Sequence, residues 1–351
     1  MRLWVAAGEA SGDALLAAVV GELTRRIPEL GVRGLAGPRM RAVGVDAVAR
    51  AEDATVIGLV EAIGAVPRLA RLLDRLESDL DPDDVLLTAD SPSLLLRLAR
   101  RARGRGIPAV HVVSPQVWAW RPGRIDRVAA SVDAMLCLFP FEPALYAGRV
   151  RAIFVGHPAA AIRPVPRVFP GGPVFALCPG SRQSEVRTLW PTFREVARRL
   201  RERFPEAGFV VPVAPTVSRP GGLDATYVES VAEVASADAA LVASGTATLE
   251  LAAMDVPMVV AYRVNPVTAA IARRVLTVDR VALPNLLARR TVVPEHLQDL
   301  DPDAIAADLA ALVGVRGQVP RAVVASLAGE GAVGRIADEV EAWLRAGRAG
   351  S

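Results

Sequence analysis

Residues 174–182 are Val-Phe-Ala-Leu-Cys-Pro-Gly-Ser-Arg, and residues 185–204 have the apolar spacing of an amphipathic helix. Five apolar residues, a turn with proline and glycine, and a helical pattern predict a strand–turn–helix unit. In that unit Gly180 permits close backbone approach to a ligand, and Ser181 would place a hydroxyl and an N–H near the helix N-terminus, where anions are stabilised. Arg182 offers a permanently charged fork for a diphosphate. The turn therefore predicts a phosphate site, and the alternative is a helix cap with a surface arginine.

Short apolar runs alternate with helical patterns on both sides of this stretch. In the first half, we predict strands at Leu3–Ala6, Val32–Leu35, Val85–Thr88, Ala109–Val113, Ala134–Phe139 and Ala152–Phe154, and helices at Asp13–Arg26, Val66–Leu80, Ser91–Arg105 and Arg121–Ser131. After residue 173 we predict strands at Val174–Cys178, Phe209–Val213, Ala239–Val242 and Met258–Ala261, and helices at Glu185–Phe204, Thr246–Met254, Ala304–Leu312 and Ile336–Ala346. Such alternation predicts parallel sheets with helices on both faces, so the fold class is α/β with two Rossmann-like domains.

Length and composition indicate the domain organisation. At 351 residues the chain is too long for one ordinary core. Residues 159–173 are rich in proline and glycine and have the composition of a linker. We therefore predict one domain over residues 1–162, a second over 170–330 and a C-terminal helical segment over 331–351.

All 41 basic residues are arginine, and lysine is absent. A Walker-type phosphate loop, a pyridoxal Schiff base and a lysine nucleophile all need lysine, so the composition excludes these three chemistries. The histidines and cysteines do not have the spacing of a zinc site, and no metal or cofactor is expected. Cys137 and Cys178 lie in apolar runs and are predicted to be buried free thiols, which suits a reducing compartment.

Targeting and membrane-spanning segments are not indicated. Glu9 and Asp13 interrupt the first apolar run too early for a signal peptide, and no stretch approaches the ~18 apolar residues of a spanning helix. The net charge of +3 is too small to argue for nucleic acid as a partner. The sequence predicts a soluble protein, or one that is peripheral to a membrane.

Small polar turns follow six predicted strands, at the sheet edge where ligands bind in folds of this class. The turns are Gly8–Asp13, Thr88–Pro92, Ser114–Gln116, Gly156–Pro158, Pro179–Arg182 and Ser244–Thr248. In the last of these, the N–H groups around Gly245 and the hydroxyls of Thr246 and Thr248 suit phosphate oxygens. Glu250 suits ribose hydroxyls, and the alternative is a carboxylate favoured only by the helix dipole.

Asp90 ends an apolar run and precedes a Ser-Pro helix start. A carboxylate there could deprotonate an acceptor hydroxyl, and the alternative is a helix N-cap. The turn Gly8–Asp13 has a wider glycine spacing than G-x-G-x-x-G and contains Glu9, whose charge would repel a dinucleotide pyrophosphate. This turn weakens a dehydrogenase interpretation.

Two further segments have an unusual composition. Residues 113–121 carry Trp118 and Trp120 beside Gln116 and Arg121, a set that suits sugar or acyl ligands, although core and interface tryptophans are the alternative. Residues 56–73 join an apolar run to an amphipathic segment with arginines, which predicts a membrane-facing patch, and the alternative is a buried helix followed by a surface helix. The patch comprises Ile57, Leu59, Val60, Ile63, Val66, Leu69, Leu72 and Leu73.

Together these motifs resemble the lipid-A-disaccharide synthase family, over essentially the whole chain to about residue 288. The longer motifs are specific to that family. In order they are AGEASGD (7–13), AGPRM (36–40), IGLVEAIG (57–64), AD-x-P (89–92), VSPQVWAWR (113–121), LFPFE (138–142), FVGHP (154–158), PGSR-x-x-EV (179–186), ASGTATLE (243–250) and LPNLLA (283–288).

The resemblance implies a GT-B fold, in which two Rossmann-like domains face each other across a cleft, and an inverting transfer that needs no metal. The sugar would pass from UDP-2,3-diacylglucosamine to 2,3-diacylglucosamine 1-phosphate (lipid X), giving a β-1,6-linked disaccharide 1-phosphate and UDP. The first domain would bind the acceptor, the second would bind the UDP-sugar, and the C-terminal helix would return towards the first. The resemblance also implies a cytoplasmic protein that is peripheral on the inner membrane, and a homodimer stays open.

Residue roles follow from the matching motifs. Asp90 matches the general base, and Arg182 matches the arginine that neutralises the leaving diphosphate. Donor binding is implied for Gly180, Ser181, Arg182, Ser244, Gly245, Thr246, Ala247, Glu250 and Asn285. Acceptor binding is implied for Gly8, Glu9, Ser11, Ser114, Gln116, Trp118 and Arg121.

The chain departs from the family pattern at two places. Ser93 stands where the family has a second aspartate, and the segment after Val213 is short enough that a helix is predicted to be missing. Three other interpretations stay open: another GT-B sugar-nucleotide enzyme (a lipid glycosyltransferase or a UDP-sugar epimerase), a dinucleotide-dependent oxidoreductase, and a non-catalytic sugar-nucleotide binding protein. Asp90 argues against the last, because a binding protein needs no base.

Overall fold

A computed structural model of the protein describes residues 1–52, 66–117, 122–165, 167–169, 171–215, 217–264 and 280–349. The chain forms two compact units. Unit 1 comprises Met1–Pro158 together with Gly331–Ser351, and unit 2 comprises Ala159–Glu330.

Unit 1 alternates strands and helices. Its elements before the linking segment are β1 (Arg2–Ala7), α1 (Ala10–Arg26), β2 (Gly31–Ala36), α2 (Pro38–Ala42), β3 (Asp46–Arg50), α3 (Val66–Asp79), β4 (Asp84–Ala89), α4 (Pro92–Gly104), β5 (Ala109–Val112), α5 (Ile125–Ala129), β6 (Ala134–Cys137), α6 (Glu142–Leu145) and β7 (Arg151–Phe154). Single turns of 3-10 helix occupy Pro122–Arg124 and Pro158–Ala161.

The seven described strands of unit 1 form one parallel sheet, in the order β3-β2-β1-β4-β5-β6-β7. Leu3 and Val5 belong to a core on one face of the sheet, and Trp4 and Ala6 belong to a core on the other. Helices therefore cover both faces, which is why the central strands are nearly continuous apolar runs.

Unit 2 repeats this plan. Its elements are β8 (Val174–Cys178), α7 (Gln183–Arg203), β9 (Gly208–Pro212), β10 (Thr226–Val228), a 3-10 turn (Val231–Val234), β11 (Ala239–Val242), α8 (Ala247–Ala253), β12 (Met258–Tyr262), α9 (Leu283–Ala288), β13 (Glu295–Leu297), α10 (Pro302–Ala311) and α11 (Arg321–Ser326). Six described strands form a parallel sheet in the order β10-β9-β8-β11-β12-β13. Phe175 and Leu177 face one core, and Ala176 and Cys178 face the other.

The last helix, α12 (Ala332–Ala349), belongs to unit 1. Ile336, Val340 and Leu344 are buried in the same core as α1. Each such side chain contributes about 1.5–3 kcal/mol when it is removed from water. Arg26 of α1 adds ion pairs to Asp338 and Glu341 of α12, so the two helices are joined by both apolar and charged contacts.

The predicted α/β class with parallel sheets in both halves is confirmed. The edge strands β3, β10 and β13 were not predicted, because they are short and carry no long apolar run. The helix predicted over Arg121–Ser131 was wrong in extent: within the described residues it is the turn Pro122–Arg124 followed by α5. Between β9 and β10 the described residues contain no helix, in agreement with the short segment noted after Val213.

Candidate functional site

Each sheet has one point at which the strand order reverses. That point lies between β1 and β4 in unit 1 and between β8 and β11 in unit 2. In open parallel sheets a ligand crevice lies beyond the carboxyl ends of the strands at such a point. Four of the six predicted turns follow these four strands: Gly8–Asp13, Thr88–Pro92, Pro179–Arg182 and Ser244–Thr248.

In unit 1, Asp90 is packed into the turn that joins β1 to α1. The N–H of Gly8 donates to Asp90 Oδ1 at 3.1 Å. A Cβ atom at Gly12 would lie 1.9 Å from Asp90 Oδ2, and one at Gly8 would lie 2.0 Å from Ser91 Oγ. Both positions therefore need glycine. We call Gly8, Gly12, Asp90 and Ser91 the Asp90 site.

Backbone strain is concentrated at the same strand ends. Asp90 has φ of 54° and Ser91 has φ of 40°, although neither is glycine. At the end of the neighbouring strand β5, Val113 has φ of 72°, which is rare for a β-branched residue. Residues in this region cost about 1–3 kcal/mol each and persist where the surroundings enforce them, often at functional sites.

Burial raises the pKa of Asp90 from its ordinary value of 3.8 to about 8, and the negative charge of Glu9 acts in the same direction. The N–H of Gly8 and the hydroxyl of Ser91 act against this rise. Oδ2 of Asp90 is buried and has no hydrogen-bond partner among the described residues. A carboxyl with this pKa exchanges its proton close to neutral pH, as a general base must.

Asp13 connects the first turn of α1, next to the Asp90 site, to α2, and the sequence did not predict this role. Its buried carboxylate accepts hydrogen bonds from the N–H groups of Arg39, at 2.8 Å, and Met40, at 3.1 Å. A Cβ atom at Gly37 would lie 2.3 Å from Asp13 Cγ. The motifs AGEASGD and AGPRM are therefore two halves of one contact between α1 and α2.

The other predicted acceptor residues separate into three groups. Glu9 is next to the Asp90 site and Ser11 is exposed at the start of α1. Ser114 is buried and its hydroxyl is hydrogen-bonded to Tyr146 Oη at 2.9 Å, and its acceptor contact stays a prediction. Gln116 is exposed, and Trp118 and Arg121 lie outside the described residues.

In unit 2, the turn Pro179–Arg182 is built around Glu185. Gly180 has φ of 114°, and a Cβ atom there would lie 2.5 Å from Glu185 Oε2. Arg182 is the N-cap of α7, and its Nη1 donates to Glu185 Oε1 at 2.9 Å. Ser181 and Arg182 are exposed, as a ligand site requires.

The second turn, Ser244–Thr248, is stabilised by hydrogen bonds from two of its side-chain hydroxyls to backbone carbonyls. Ser244 Oγ donates to the carbonyl of Val281 at 3.1 Å, and Thr248 Oγ1 donates to the carbonyl of Gly245 at 2.7 Å. Thr246 is exposed at the start of α8, followed by the half-buried Ala247. A Cβ atom at Gly245 would meet nothing within 4 Å, so the turn faces open space there.

Glu250 lies near the end of β8. Burial raises the pKa of the Cys178 thiol to about 12, and the charge of Glu250 contributes to that rise. The carboxylate is therefore close to the strand that precedes the turn Pro179–Arg182, and its donor role stays a prediction.

Asn285 has a structural role in unit 2, and its predicted donor contact stays a prediction. It is fully buried. Its Nδ2 donates to Val293 O and to Glu295 Oε1, and its Oδ1 accepts from the N–H groups of Val292 and Val293. These four hydrogen bonds use the whole capacity of the amide.

Two residues that the sequence did not single out lie near Arg182. Glu185 contacts it directly. Burial raises the pKa of Tyr262, the last residue of β12, while the charge of Glu185 raises it further and that of Arg182 lowers it. Tyr262 is therefore close enough to sense both charges. Its only sequence signal was its position at a strand end.

The predicted membrane patch falls mostly outside the described residues. Ile57, Leu59, Val60 and Ile63 lie there, as does the side chain of Val66. Leu73 is 3% exposed and belongs to the core of unit 1, which corrects its assignment to the patch. Leu69 and Leu72 are half-buried against that core. Leu69, Ala70 and Leu73 line a groove of about 550 Å³ with Arg97, Arg100 and Arg101.

Neither a membrane-spanning helix nor a metal cluster is found in the part of the chain that the structure describes. No helix there is long and apolar enough to cross a bilayer. No group of three or more metal-binding side chains comes together among those residues.

Solved structures with the same architecture show the class of protein. CalG4, the calicheamicin glycosyltransferase, matches with a TM-score of 0.63 at 18% identity, over 98% of this chain and 98% of that chain. A UDP-GlcNAc 2-epimerase from Neisseria meningitidis, bound to UDP-GlcNAc, matches with a TM-score of 0.63 at 12% identity, over 97% of this chain and 99% of that chain. The two parallel sheets with polar turns at their switch points therefore define a GT-B protein.

Sequence comparison narrows this class to one family. The sequence model described as "Lipid-A-disaccharide synthetase" matches residues 3–318. The lipid-A-disaccharide synthase of Anaeromyxobacter dehalogenans (strain 2CP-C) is 43% identical over 98% of both chains, and that of Burkholderia pseudomallei (strain K96243) is 43% identical over 87% of this chain and 86% of its own. The chain belongs to the lipid-A-disaccharide synthetase family, which confirms the resemblance seen in its motifs.

Proposed function

We propose that the protein is a lipid-A-disaccharide synthase, an inverting glycosyltransferase. It transfers the diacylated glucosamine of UDP-2,3-diacylglucosamine to the 6-hydroxyl of 2,3-diacylglucosamine 1-phosphate (lipid X). The products are the β-1,6-linked disaccharide 1-phosphate and UDP. Membership of the family supports the proposal, and Asp90 is the single observation that carries it.

Asp90 has the properties of the base that this reaction needs. It lies at the switch point of its sheet, and its pKa is raised to about 8. Strained backbone at Asp90 and Ser91 and glycine at positions 8 and 12 hold the carboxyl in place. A carboxylate without this environment would be too weak a base at neutral pH.

In the proposed reaction the acceptor oxygen forms a bond to the anomeric carbon while the bond from that carbon to the diphosphate breaks. The hydroxyl proton passes to Asp90, and the electron pair of the broken bond leaves with UDP. Direct displacement of this kind inverts the anomeric centre. Charge accumulates on the leaving diphosphate, where a fixed cation stabilises the transition state most.

The donor would bind in unit 2. Arg182 and the N–H groups at the start of α7 suit the diphosphate. The turn Ser244–Thr248 supplies the exposed Thr246 hydroxyl, and Glu250 suits the ribose hydroxyls. Because Arg182 supplies the cation in this scheme, we expect transfer without a divalent metal.

We further propose that the protein is peripheral on the cytoplasmic face of the inner membrane, because both substrates carry acyl chains. The groove between α3 and α4 supports this location. The half-buried Leu69 and the exposed Ala70 line one side of it, and three arginines line the other. Arg101 pairs with Asp74 and Glu77, whereas Arg97 and Arg100 have no acidic partner among the described residues. An apolar face beside unpaired cations suits an anionic lipid surface.

The proposal is tested by incubating the protein with both substrates and EDTA and measuring UDP and the disaccharide by mass spectrometry. We expect Asp90→Asn to lower turnover by about 10²- to 10⁴-fold, the usual contribution of a general base. UDP affinity should stay close to that of the wild type. Asp83→Asn, which changes an exposed aspartate, is the matched control and should be fully active.

Two outcomes would contradict the proposal. Folded protein that gives no disaccharide with several acyl-chain lengths would remove the assigned reaction. Equal loss of turnover and UDP affinity in Asp90→Asn would remove the base role of Asp90.

A further inference from the structure

Glu185 is the third residue of α7, and its side chain lies against Gly180 and Arg182 of the predicted donor turn. Its Oε1 accepts from Nη1 of Arg182 at 2.9 Å, and its Oε2 accepts from the N–H of Arg182 at 3.3 Å. The side chain of Glu185 is 17% exposed and that of Arg182 is 50% exposed. A shielded carboxylate therefore holds one end of a guanidinium that faces solvent.

The same carboxylate explains the glycine of the turn. A Cβ atom at Gly180 would lie 2.5 Å from Glu185 Oε2 and 3.0 Å from Glu185 Cβ. Gly180 also has φ of 114°, which side chains rarely adopt. Glu185 fills the space that a side chain at position 180 would take, so the glycine, the arginine and the glutamate of PGSR-x-x-E form one contact unit.

We propose that Glu185 is a positioning residue, which orients the Arg182 guanidinium for the diphosphate of the donor. This inference rests on the proposed function, because it assumes that Arg182 meets the diphosphate. Glu185 itself touches no reacting atom and acts through Arg182.

The physical argument is preorganisation. An arginine side chain has many rotamers, and fixing it during binding weakens the affinity. A carboxylate already bound to Nη1 removes part of that freedom before the nucleotide arrives. Losing such an anchor typically weakens binding by about 3- to 10-fold.

Tyr262 shows whether the charges of Glu185 and Arg182 are in place, and the comparison of UDP with uridine then separates a positioning role of Glu185 from a purely structural one. Burial raises the pKa of Tyr262, the charge of Glu185 raises it further, and the charge of Arg182 lowers it. The protein has three tyrosines, so the phenolate of Tyr262 can be followed by ultraviolet titration, with Tyr262→Phe identifying its contribution.

The main test measures the binding of UDP and of uridine, which lacks the phosphates, to Glu185→Gln. We expect UDP to bind about 3- to 10-fold more weakly and uridine to bind as in the wild type. In an Arg182→Ala background, Glu185→Gln should have no further effect, since both changes remove one interaction. The pKa of Tyr262 should fall, because a negative charge near it is lost.

The matched control is Glu195→Gln. Glu195 lies on the same helix and, among the described residues, pairs with the exposed Arg198 and the half-buried Arg199, so nucleotide binding should not change. If Glu185→Gln does not fold, Arg182→Gln tests the same pair, and the pKa of Tyr262 should then rise.

Equal weakening of UDP and uridine, or effects that add in the double variant, would overturn the inference and leave Glu185 as a helix cap only. Failure of the proposed function is a separate result. Wild-type protein that binds UDP but forms no disaccharide would remove the assigned reaction without affecting the role of Glu185 in binding.

Discussion

At Asp90, strain, burial and a displaced pKa occur in one residue. The positive φ angles of Asp90 and Ser91 place the carboxyl over Gly8 and Gly12, where it is shielded from water and lies near Glu9. Burial and a like charge both disfavour the ionised form. The fold therefore keeps the residue that the proposed reaction needs as a base in a strained backbone conformation and in surroundings that disfavour its ionised form.

We expect kcat/KM to depend on pH through Asp90. The ionised carboxyl is the active form, and its pKa in the free protein is about 8. Activity should rise about tenfold per pH unit below that value and become constant above it. A profile of kcat/KM between pH 6 and about pH 9.5 measures this rise. A flat profile would contradict the role of Asp90 as the base.

The same shift makes a prediction about stability. Asp90 favours folding below its ordinary pKa of 3.8, and this contribution is lost as the pH rises to about 8, because the folded state resists ionisation. Asparagine does not ionise, so Asp90→Asn avoids the loss of stability that ionisation causes in the wild type. The free energy of unfolding at neutral pH should rise by about 1–3 kcal/mol. Denaturant unfolding of both proteins at pH 5 and about pH 8 checks this, and the gain should be smaller at pH 5.

Two glycines of α1 separate site geometry from helix stability. Gly12→Ala should reduce turnover strongly, since its Cβ would lie 1.9 Å from Asp90 Oδ2 and displace the carboxyl. Gly21→Ala is the matched control, because a Cβ there meets nothing within 4 Å. It should keep full activity and stabilise the helix by about 1 kcal/mol. Equal activity of the two variants would show that Asp90 can move without loss.

At the scale of elements, α1 connects the site to the rest of unit 1. Its first turn carries Gly12 and Asp13, which contact Asp90 and α2. The same helix shares a core with α12, which is distant in sequence, and its last residue Arg26 pairs with Asp338 and Glu341 there. Sites carried by helices or strands that are packed into the scaffold are positioned more precisely than sites on loops.

We expect Ile336→Ala to destabilise unit 1 by about 2–5 kcal/mol, because it leaves a cavity between α12 and the sheet. The affinity of the folded protein for UDP should not change, since the predicted donor residues belong to unit 2. Arg345→Ala on the same helix removes an exposed ion pair and should change stability by less than about 0.5 kcal/mol. Similar effects of the two variants in chemical denaturation would contradict this view of α12.

At the scale of the molecule, the units differ in chain continuity. Unit 2 is one segment, Ala159–Glu330, and both of its cores are formed by residues within that segment. Unit 1 is formed by two segments, and its α1 face is covered by α12. Continuity of the chain decides which unit contains a complete core when it is expressed alone.

The fragment 159–330 should therefore fold cooperatively and bind UDP with an affinity close to that of the full chain. The fragment 1–158 lacks α12 and should be much less stable, because the partners of Ile336, Val340 and Leu344 become exposed. Circular dichroism and calorimetric UDP titration measure both. A non-cooperative fragment 159–330 would show that its cores are insufficient.

Membrane association is a property of the surface and is tested there. We expect Arg97→Gln with Arg100→Gln to weaken binding to anionic vesicles by about 1 kcal/mol per arginine, and less at high salt. These arginines are preferable to Leu69 and Leu72, which are half-buried against the core and would lose stability on substitution. Arg201→Gln, on α7 of unit 2, is the control, and equal effects in vesicle sedimentation would remove the groove from the proposed surface.

Local sequence was sufficient to predict the main strands and helices and the turns that end them, because apolar spacing and glycine–proline placement act over a few residues. It also identified Asp90 and Arg182 as candidates and excluded lysine chemistry. The tertiary structure decided which turns are neighbours, because strand order is not a local property. Only the folded chain shows that Asp13 joins α1 to α2, that Asn285 and Leu73 are buried, and that Glu185 holds Arg182. These roles depend on contacts and burial, and a linear sequence does not contain the distances and solvent exclusion that produce them.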